Sequence, residues 1–198
     1  MKKYLPIFFF FLILNHAYSQ FSSGSNSWTS SSNFTLGTGS YSSGYGAIAF
    51  GYQNTAYGGV GIGYQSYVNG TGSAAIGYSN YSNGNGATSL GYDNNAQSNY
   101  STSIGYSNYV SSANGGVAIG YDNDSRNYYA ISMGYSNYVS GYAGVALGFN
   151  NYVSGNYAVA LGINNTASDY ASTVIGQYNS SGSSATSSSS FSTSAPAF

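Results

Sequence analysis

The sequence predicts an all-β protein, a parallel β-solenoid of about eleven coils of about 14 residues each. Three observations predict this fold. A glycine recurs at a nearly constant interval, a short run with alternating large and small residues precedes it, and an asparagine commonly follows three residues later. Fourteen residues are too few for a strand–helix–strand crossover, so each coil must consist of short strands and turns. We number the coils 1 to 11 by this marker glycine, which stands at Gly37, Gly51, Gly63, Gly77, Gly91, Gly105, Gly120, Gly134, Gly148, Gly162 and Gly176.

The spacing of the marker glycine identifies a repeat architecture. Eight of the ten intervals are 14 residues long, one is 12 and one is 15. Self-similarity at a fixed period indicates stacked units in which each residue lies on its counterpart in the next coil. At about 4.8 Å per coil, the stack predicts a rod on the order of 50 Å long.

The residues before the marker glycine predict a short strand with two different faces. The residue directly before the glycine is always large and apolar, and the residue three before it is mostly β-branched or apolar. The residue between these two is small in nearly every coil. This alternation of period two predicts that the large residues point inward and that the small residues form a flat outer face, open to another chain. The predicted structural core is Leu36, Phe50, Ile62, Ile76, Leu90, Ile104, Ile119, Met133, Leu147, Leu161 and Ile175.

A second strand is predicted five residues after the marker glycine, where a weaker inward column recurs. Its members are Ala56, Val68, Ser82, Ala96, Val110, Ser125, Val139, Val153 and Ala167. The marker glycine and the asparagine between the two strands are predicted to be corner residues. Glycine accepts positive φ, and asparagine tolerates it and bonds its own backbone.

The N-terminus predicts export. Lys2 and Lys3 precede an apolar run, and small residues at Ala17 and Ser19 suit signal-peptidase cleavage, so residues 1–19 are predicted to be a signal peptide. A Ser-rich segment (20–33), the repeat head (34–178) and a Ser-rich disordered tail (179–198) follow. We expect a secreted or cell-surface protein whose mature chain has no membrane-spanning segment.

The charged residues argue against enzyme activity. Outside the predicted signal peptide the chain has one cation, Arg126, four aspartates, and no Lys, His, Glu or Cys. Such a chain lacks the usual proton carriers, soft-metal ligands and phosphate-binding cations, so we expect no catalytic residues, no cofactor, no metal and no nucleic acid. The turn at Asp122 and Asp124 offers too few oxygens for calcium. A paired-carboxylate glycosidase built on Asp93 and Asp122 lacks any sign of a buried carboxyl.

Tyrosine is the candidate for surface binding. One predicted aromatic ladder directly follows the marker glycine, at Tyr52, Tyr64, Tyr78, Tyr92, Tyr106, Tyr121 and Tyr135. A second is predicted three residues further along each coil, at Tyr41, Tyr67, Tyr81, Tyr109, Tyr138 and Tyr152. Stacked rings could serve only to stabilise neighbouring coils. Alternatively, exposed tyrosines offer rigid amphipathic area to a sugar or protein ligand.

The run of apolar and small residues that ends in the marker glycine is closely repeated at Ser73–Tyr78, Gly115–Tyr121 and Ala143–Gly148. These segments resemble the repeat of trimeric autotransporter adhesin heads of the YadA-like type, and the similarity runs from about Phe34 to Tyr178. It implies a left-handed parallel β-roll, three chains packed around a common axis, and non-catalytic binding to host surfaces, matrix or other cells. Such heads usually continue into a coiled-coil stalk and a membrane anchor, and neither is recognisable in this sequence.

Three functions follow from these patterns. An adhesin-like head would be a homotrimer that contacts an extracellular protein or glycan surface, and in a family-like setting it would be retained at a bacterial outer membrane. The alternatives are a structural surface or matrix protein without a specific ligand, and an ice-binding solenoid. The regular Thr-x-Thr ladder expected of an ice-binding solenoid is missing from the repeat.

Overall fold

The computed structural model describes residues 33–111 and 114–182, which form a solenoid of alternating long and short strands. The long strands are β1 (Phe34–Leu36), β3 (Ile48–Tyr52), β5 (Val60–Tyr64), β7 (Ala74–Tyr78), β9 (Thr88–Tyr92), β11 (Thr102–Tyr106), β13 (Val117–Tyr121), β15 (Ile131–Tyr135), β17 (Val145–Phe149), β19 (Val159–Ile163) and β21 (Thr173–Gln177). The short strands are β2 (Tyr41–Ser42), β4 (Thr55–Ala56), β6 (Tyr67–Val68), β8 (Tyr81–Ser82), β10 (Asn95–Ala96), β12 (Tyr109–Val110), β14 (Asp124–Ser125), β16 (Tyr138–Val139), β18 (Tyr152–Val153) and β20 (Thr166–Ala167). The predicted parallel β-solenoid is confirmed, as ten complete coils and a final long strand.

The strands form two parallel sheets, one of the eleven long strands and one of the ten short strands, each ordered as in the sequence. Neighbouring strands of each sheet pair in register, so that Ile104 lies beside Ile119 and Gly105 beside Gly120. The 12-residue and 15-residue intervals do not disturb this register, because Gly51 still pairs with Gly63 across the short one. The length differences are absorbed in the corners.

The side chains of the long strands point to the opposite faces from those predicted. The small middle residue points inward and is fully buried, as at Ala118 and Ala146. The large residues on either side of it point outward, so that Phe50 is 44 % exposed and Leu147 is 37 % exposed in the single chain. Because side chains alternate along a strand, a one-residue error in assigning its faces moves all of its large apolar side chains from the outside to the interior. The interior between the two sheets is narrow, and it holds Ala, Ser or Gly at this position in every coil except the first and last, which hold Thr35 and Val174.

The prediction that the column before the marker glycine forms the core is therefore wrong for all of its members. None of them is buried in the single chain, and they form the outer side of the long sheet: Leu36, Phe50, Ile62, Ile76, Leu90, Ile104, Ile119, Met133, Leu147, Leu161 and Ile175. The prediction of a weaker inward column on the short strands is confirmed. Its members, among them Val68, Val110 and Val139, are all fully buried.

The recurring asparagine is buried inside the solenoid, where it joins one coil to the next. The Nδ2 group of Asn123 donates to the Ile119 carbonyl of its own coil at 3.1 Å and to the Gly134 carbonyl of the next coil at 2.8 Å. Its Oδ1 atom accepts the backbone N–H of Asn137 at 3.1 Å. We call this column the asparagine ladder, and its fully buried members are Asn54, Asn80, Asn94, Asn108, Asn123, Asn137, Asn151 and Asn165.

The corner itself lies one residue before the ladder asparagine, which corrects the predicted corner role of asparagine. Residues such as Gln53, Asp93 and Ser107 hold φ between 52° and 54° there, while the ladder asparagine keeps negative φ. The marker glycine has the predicted positive φ, but it lies inside the long strand and not at a corner, as Gly120 does in β13. Gly120 has φ of 123°, and a Cβ atom on it would lie 2.0 Å from the carbonyl oxygen of Gly134. Only glycine permits this close approach of successive coils.

The predicted segment boundaries concern mostly residues outside the described ranges. The signal peptide (1–19), nearly all of segment 20–33 and residues 183–198 of the tail lie there, and their boundaries stay predictions. Pairing between coils continues into the start of the predicted tail. Asn179 donates its backbone N–H to Asn165 Oδ1 at 3.0 Å, and Ser181 donates to the Thr166 carbonyl at 2.9 Å.

Gly120→Ala should destabilise the fold strongly, because the new methyl would meet the Gly134 carbonyl and the residue would keep positive φ. We expect a loss of about 3 kcal/mol or more in the free energy of unfolding, measured by urea denaturation. The matched control is Gly72→Ala. Gly72 also has positive φ, but no atom lies within 4 Å of the position that its Cβ would take. The free energy of unfolding is therefore expected to fall by only about 1 kcal/mol. Equal losses in the two variants would contradict the close-approach argument.

Candidate binding surfaces

The outer side of the long sheet is a continuous apolar face. It consists of the predicted core column and of the column two residues earlier, which we together call the apolar face. The earlier column contains Phe34, Ile48, Val60, Ala74, Thr88, Thr102, Val117, Ile131, Val145, Val159 and Thr173. Because neighbouring long strands pair in register, these side chains form two parallel rows along the rod. A single chain leaves both rows partly exposed to water.

The rings that directly follow the marker glycine stack face to face. Neighbouring ring centroids lie 4.7 to 5.0 Å apart and the rings are inclined by 2° to 12° from Tyr52 through Tyr135 to Phe149. We call this column the tyrosine ladder. Because each ring face within the ladder covers the next ring, the ladder presents mainly ring edges and hydroxyl groups to solvent. Its predicted use as a contact surface stays a prediction.

The second predicted ladder is interrupted. Stacked pairs form only at Tyr67 with Tyr81 and at Tyr138 with Tyr152, at 4.9 and 5.2 Å. Asn95 and Asp124 occupy the same column on either side of Tyr109. At the start of the column, Tyr41 and Tyr67 each make an edge contact at 5.9 Å with Tyr57, a corner residue outside the column.

The charged pair Asp124 and Arg126 fills one of these interruptions. Arg126 Nε donates to Asp124 Oδ2 at 2.8 Å, and its guanidinium lies 5.2 Å from the ring centroid of Tyr138. The hydrogen bond and the charge of Asp124 raise the pKa of Arg126 above its usual value. Asp122, the other acid of this turn, accepts a hydrogen bond from Ser136 at 3.3 Å. The turn is thus a local ion pair with an aromatic neighbour.

Sequence reasoning missed an aromatic group at the second corner, between a short strand and the next long strand. It consists of Tyr128, Tyr129, Tyr142, Tyr157 and Tyr170, and we call it the corner cluster. Here the rings meet mainly edge to face, with centroids 6.0 Å apart for Tyr129 and Tyr142 and 5.3 Å for Tyr142 and Tyr157. The signal was available in the sequence. The columns five and six residues before the marker glycine carry tyrosine in coils 8 to 11, but Thr, Asn and Gly in most of coils 4 to 7.

The tyrosine ladder predicts a loss of stability at alkaline pH. Desolvation, then the neighbouring Tyr78, Tyr106 and Asp93, raise the pKa of Tyr92 above 10.0. The unfolded chain would therefore release its phenol proton first, so stability present below pH 10 should decline as the pH rises above it. Circular dichroism and phenolate absorbance should report this transition. In the control Tyr92→Phe, which copies the natural Phe149 of this column, the transition should move to higher pH; no movement would contradict the assignment to the ladder.

Within residues 33–111 and 114–182, no three His, Cys, Asp or Glu side chains lie close enough together to hold a metal ion. Asp93 and Asp122, the carboxylates considered for glycosidase chemistry, both occupy exposed positive-φ corners. Over the same residues, no helix has the length and hydrophobicity of a membrane span.

Comparison with known proteins identifies the family of the repeat. The family model of the YadA head domain repeat (2 copies) matches residues 36–54, 42–59, 55–80, 82–108, 127–151 and 154–179. No curated protein matches the chain. The matched segments together cover more than half of the sequence and follow the coils of the solenoid from the first long strand to the last. The chain therefore belongs to the YadA head family.

Proposed function

We propose that this protein is an adhesin-like head, a non-catalytic rod that is exported and binds surfaces outside the cell. The observation that carries the proposal is the run of YadA head repeats across residues 36–179, which leaves little of the described chain for any other kind of domain. The family is one of adhesins and has no catalytic role. The low charge of the chain and the predicted signal peptide support an extracellular setting.

The adhesin head is a homotrimer in this proposal, with the apolar face as its contact between chains. Monomeric soluble proteins rarely expose a contiguous apolar surface along their whole length. The two parallel rows, which are mostly Val, Ile and Leu, would lose most of their contact with water if equivalent faces of other chains packed against them. The number three comes from the family, whose heads are trimeric adhesins. The buried small residues cannot serve as this contact, which reverses the expectation from sequence.

Trimerisation also gives the rod its binding strength. Three chains around one axis would present three copies of each outward surface, so several weak contacts could form at once. Linked copies of a weak site can exceed its single-site affinity by about 10² to 10⁴. The tyrosine ladder and the corner cluster are the two aromatic surfaces that each chain contributes to such contacts.

A double substitution on the apolar face tests assembly and adhesion together. Met133→Lys with Leu147→Lys places two charges on neighbouring strands of the proposed contact. The control is Gln97→Lys, an exposed position beside a short strand. Light scattering should give three times the mass of one chain for the parent and the control, and a lower mass for the double variant.

The same three proteins should then be coated on beads and tested on cells and on matrix-coated surfaces. We expect the double variant to bind at least about tenfold less than the parent, because it loses the linked copies. A parent protein that is a stable folded monomer would contradict the trimer. A trimer that adheres to no cell or matrix surface would contradict the adhesin function.

A further inference from the structure

The corner cluster has features that coil packing does not account for. In coils 2, 4, 5 and 7, the residue five before the marker glycine is itself a glycine, with φ between 64° and 70°. In coils 6, 8 and 10 the same place holds Tyr100, Tyr129 and Tyr157, with φ between 55° and 59°. Coils 9 and 11 hold Ala143 and Ala171 there, with φ of 50° and 55°. Since glycine or alanine forms this corner in other coils, a bulky aromatic side chain is not required for the fold at this place.

The corner cluster is packed against the solenoid, yet Tyr128, Tyr129 and Tyr157 remain exposed and Tyr142 and Tyr170 are half-buried. A Cβ atom on Gly115 would lie 3.1 Å from the ring of Tyr129, so that ring packs against the preceding coil. Tyr129 is nevertheless 55 % exposed and Tyr157 is 50 % exposed. Their backbone N–H groups are held by the carbonyls of Asn114 and Tyr142 in the preceding coils, at 3.1 and 2.7 Å. Rigid, exposed aromatic groups lose little entropy when a ligand binds them.

Ring orientation distinguishes the corner cluster from the tyrosine ladder. In the ladder the rings are nearly parallel, and each interior ring is covered on both faces by its neighbours. In the corner cluster, Tyr142 meets Tyr157 at 68° and Tyr157 meets Tyr170 at 73°. An edge-to-face pair covers at most one face of one ring, so faces remain open toward solvent. The corner cluster is therefore the aromatic surface that can stack on a ligand.

The surroundings of the corner cluster favour an uncharged ligand. The nearest cation in the sequence, Arg126, is paired with Asp124 at 2.7 Å, and Asp169 is buried. A polyanion would find no clustered cations in this part of the chain. The adjoining amides already bond backbone groups of the solenoid, since Asn127 Nδ2 donates to the Ser140 carbonyl and Asn156 Oδ1 accepts the Tyr142 N–H. The phenol hydroxyl groups of the tyrosines therefore supply the polar contacts to a ligand. Open aromatic faces with hydroxyl groups at their edges match the alternating C–H faces and hydroxyl rims of sugars.

We propose that the corner cluster is a binding site for a neutral glycan chain, which lies along coils 8 to 11 with its sugar rings against the open tyrosine faces. The cluster extends over three steps between coils, about 14 Å along the rod axis. It therefore fits several sugar units of one chain and not a single monosaccharide. This inference rests on the proposed adhesin function, since it names the class of surface that the head would contact.

The test uses substitutions that the chain itself provides. In the cluster variant, Tyr128→Asn, Tyr129→Gly, Tyr142→Asn, Tyr157→Gly and Tyr170→Asn bring the Asn or Gly of the coil 7 corner, Asn114 and Gly115, into coils 8 to 11. Because coil 7 folds with these residues, the variant should keep the solenoid, checked by circular dichroism and particle mass. The matched control Tyr100→Gly removes a positive-φ tyrosine outside the cluster, and a second control, Tyr129→Phe with Tyr157→Phe, keeps both ring faces.

Binding is measured by affinity electrophoresis through gels that contain a neutral β-glucan, xylan or galactomannan, with heparin as the polyanion. At least one neutral polysaccharide should retard the parent and both controls. The cluster variant should bind it at least about tenfold more weakly, since several stacking contacts are lost together. Equal retardation of the folded cluster variant and the parent would overturn the proposal, as would retardation by heparin alone.

Protein-coated beads separate this inference from the adhesin function. A parent that binds no neutral polysaccharide but adheres to collagen-coated or fibronectin-coated surfaces would overturn the glycan site and leave the adhesin function standing. A parent that binds neither class of surface would overturn both.

Discussion

The asparagine ladder is the interaction on which the rest of the structure depends. Each ladder amide is buried, donates to carbonyls of its own coil and of the next coil, and accepts a backbone N–H from the next coil. The interior offers few apolar contacts in return, because its side chains are mostly Ala, Ser and Val. Buried amides that form all these bonds stabilise a structure, whereas an unsatisfied one costs a large part of its solvation energy. Hydrogen bonds between coils therefore take the place of a large hydrophobic core.

The narrow interior of the solenoid determines which side chains lie on its outer surface. Since the space between the two sheets holds mainly Ala, Ser, Val and amides, the Leu, Ile, Phe and Met side chains of the long strands point outward. The apolar face follows from this constraint, and it is the basis of the proposal that another chain covers it. The marker glycine reflects the same close spacing, because any side chain at position 120 would push successive coils apart. Close spacing of the backbone thus underlies the buried asparagine ladder, the outward apolar face and the proposed trimer contact.

Much of the fold could be predicted from the sequence, because the repeat is visible in it. The period, the columns and the in-register stacking all follow from the recurrence of the marker glycine. Alternation alone shows that a strand has two faces, but it does not show which face is buried. The pattern predicts the large residue at Ile119 inward and the small residue at Ala118 outward, and the structure has them reversed. The amide at Asn123 is predicted at a corner, because asparagine is common in turns, but it is buried beside that corner.

The candidate site was only partly predictable for a related reason. The tyrosine ladder stands out because its column is nearly invariant from coil to coil. The corner cluster instead depends on two columns that change along the chain, and its proposed role rests on the orientation and the exposure of its rings. Neither property can be read from residue order. The handedness of the roll and the use of the ladder as a contact surface stay predictions.

A pair of conservative substitutions tests the central role of the asparagine ladder. Asn123→Asp keeps the size of a buried member but replaces its donor group with a carboxylate oxygen facing the carbonyls of Ile119 and Gly134. Asn179→Asp makes the same change in the same column at an exposed position. In urea denaturation at neutral pH, the buried substitution should cost about 3 kcal/mol or more and the exposed one under about 1 kcal/mol. Equal unfolding free energies for the two variants would contradict the account.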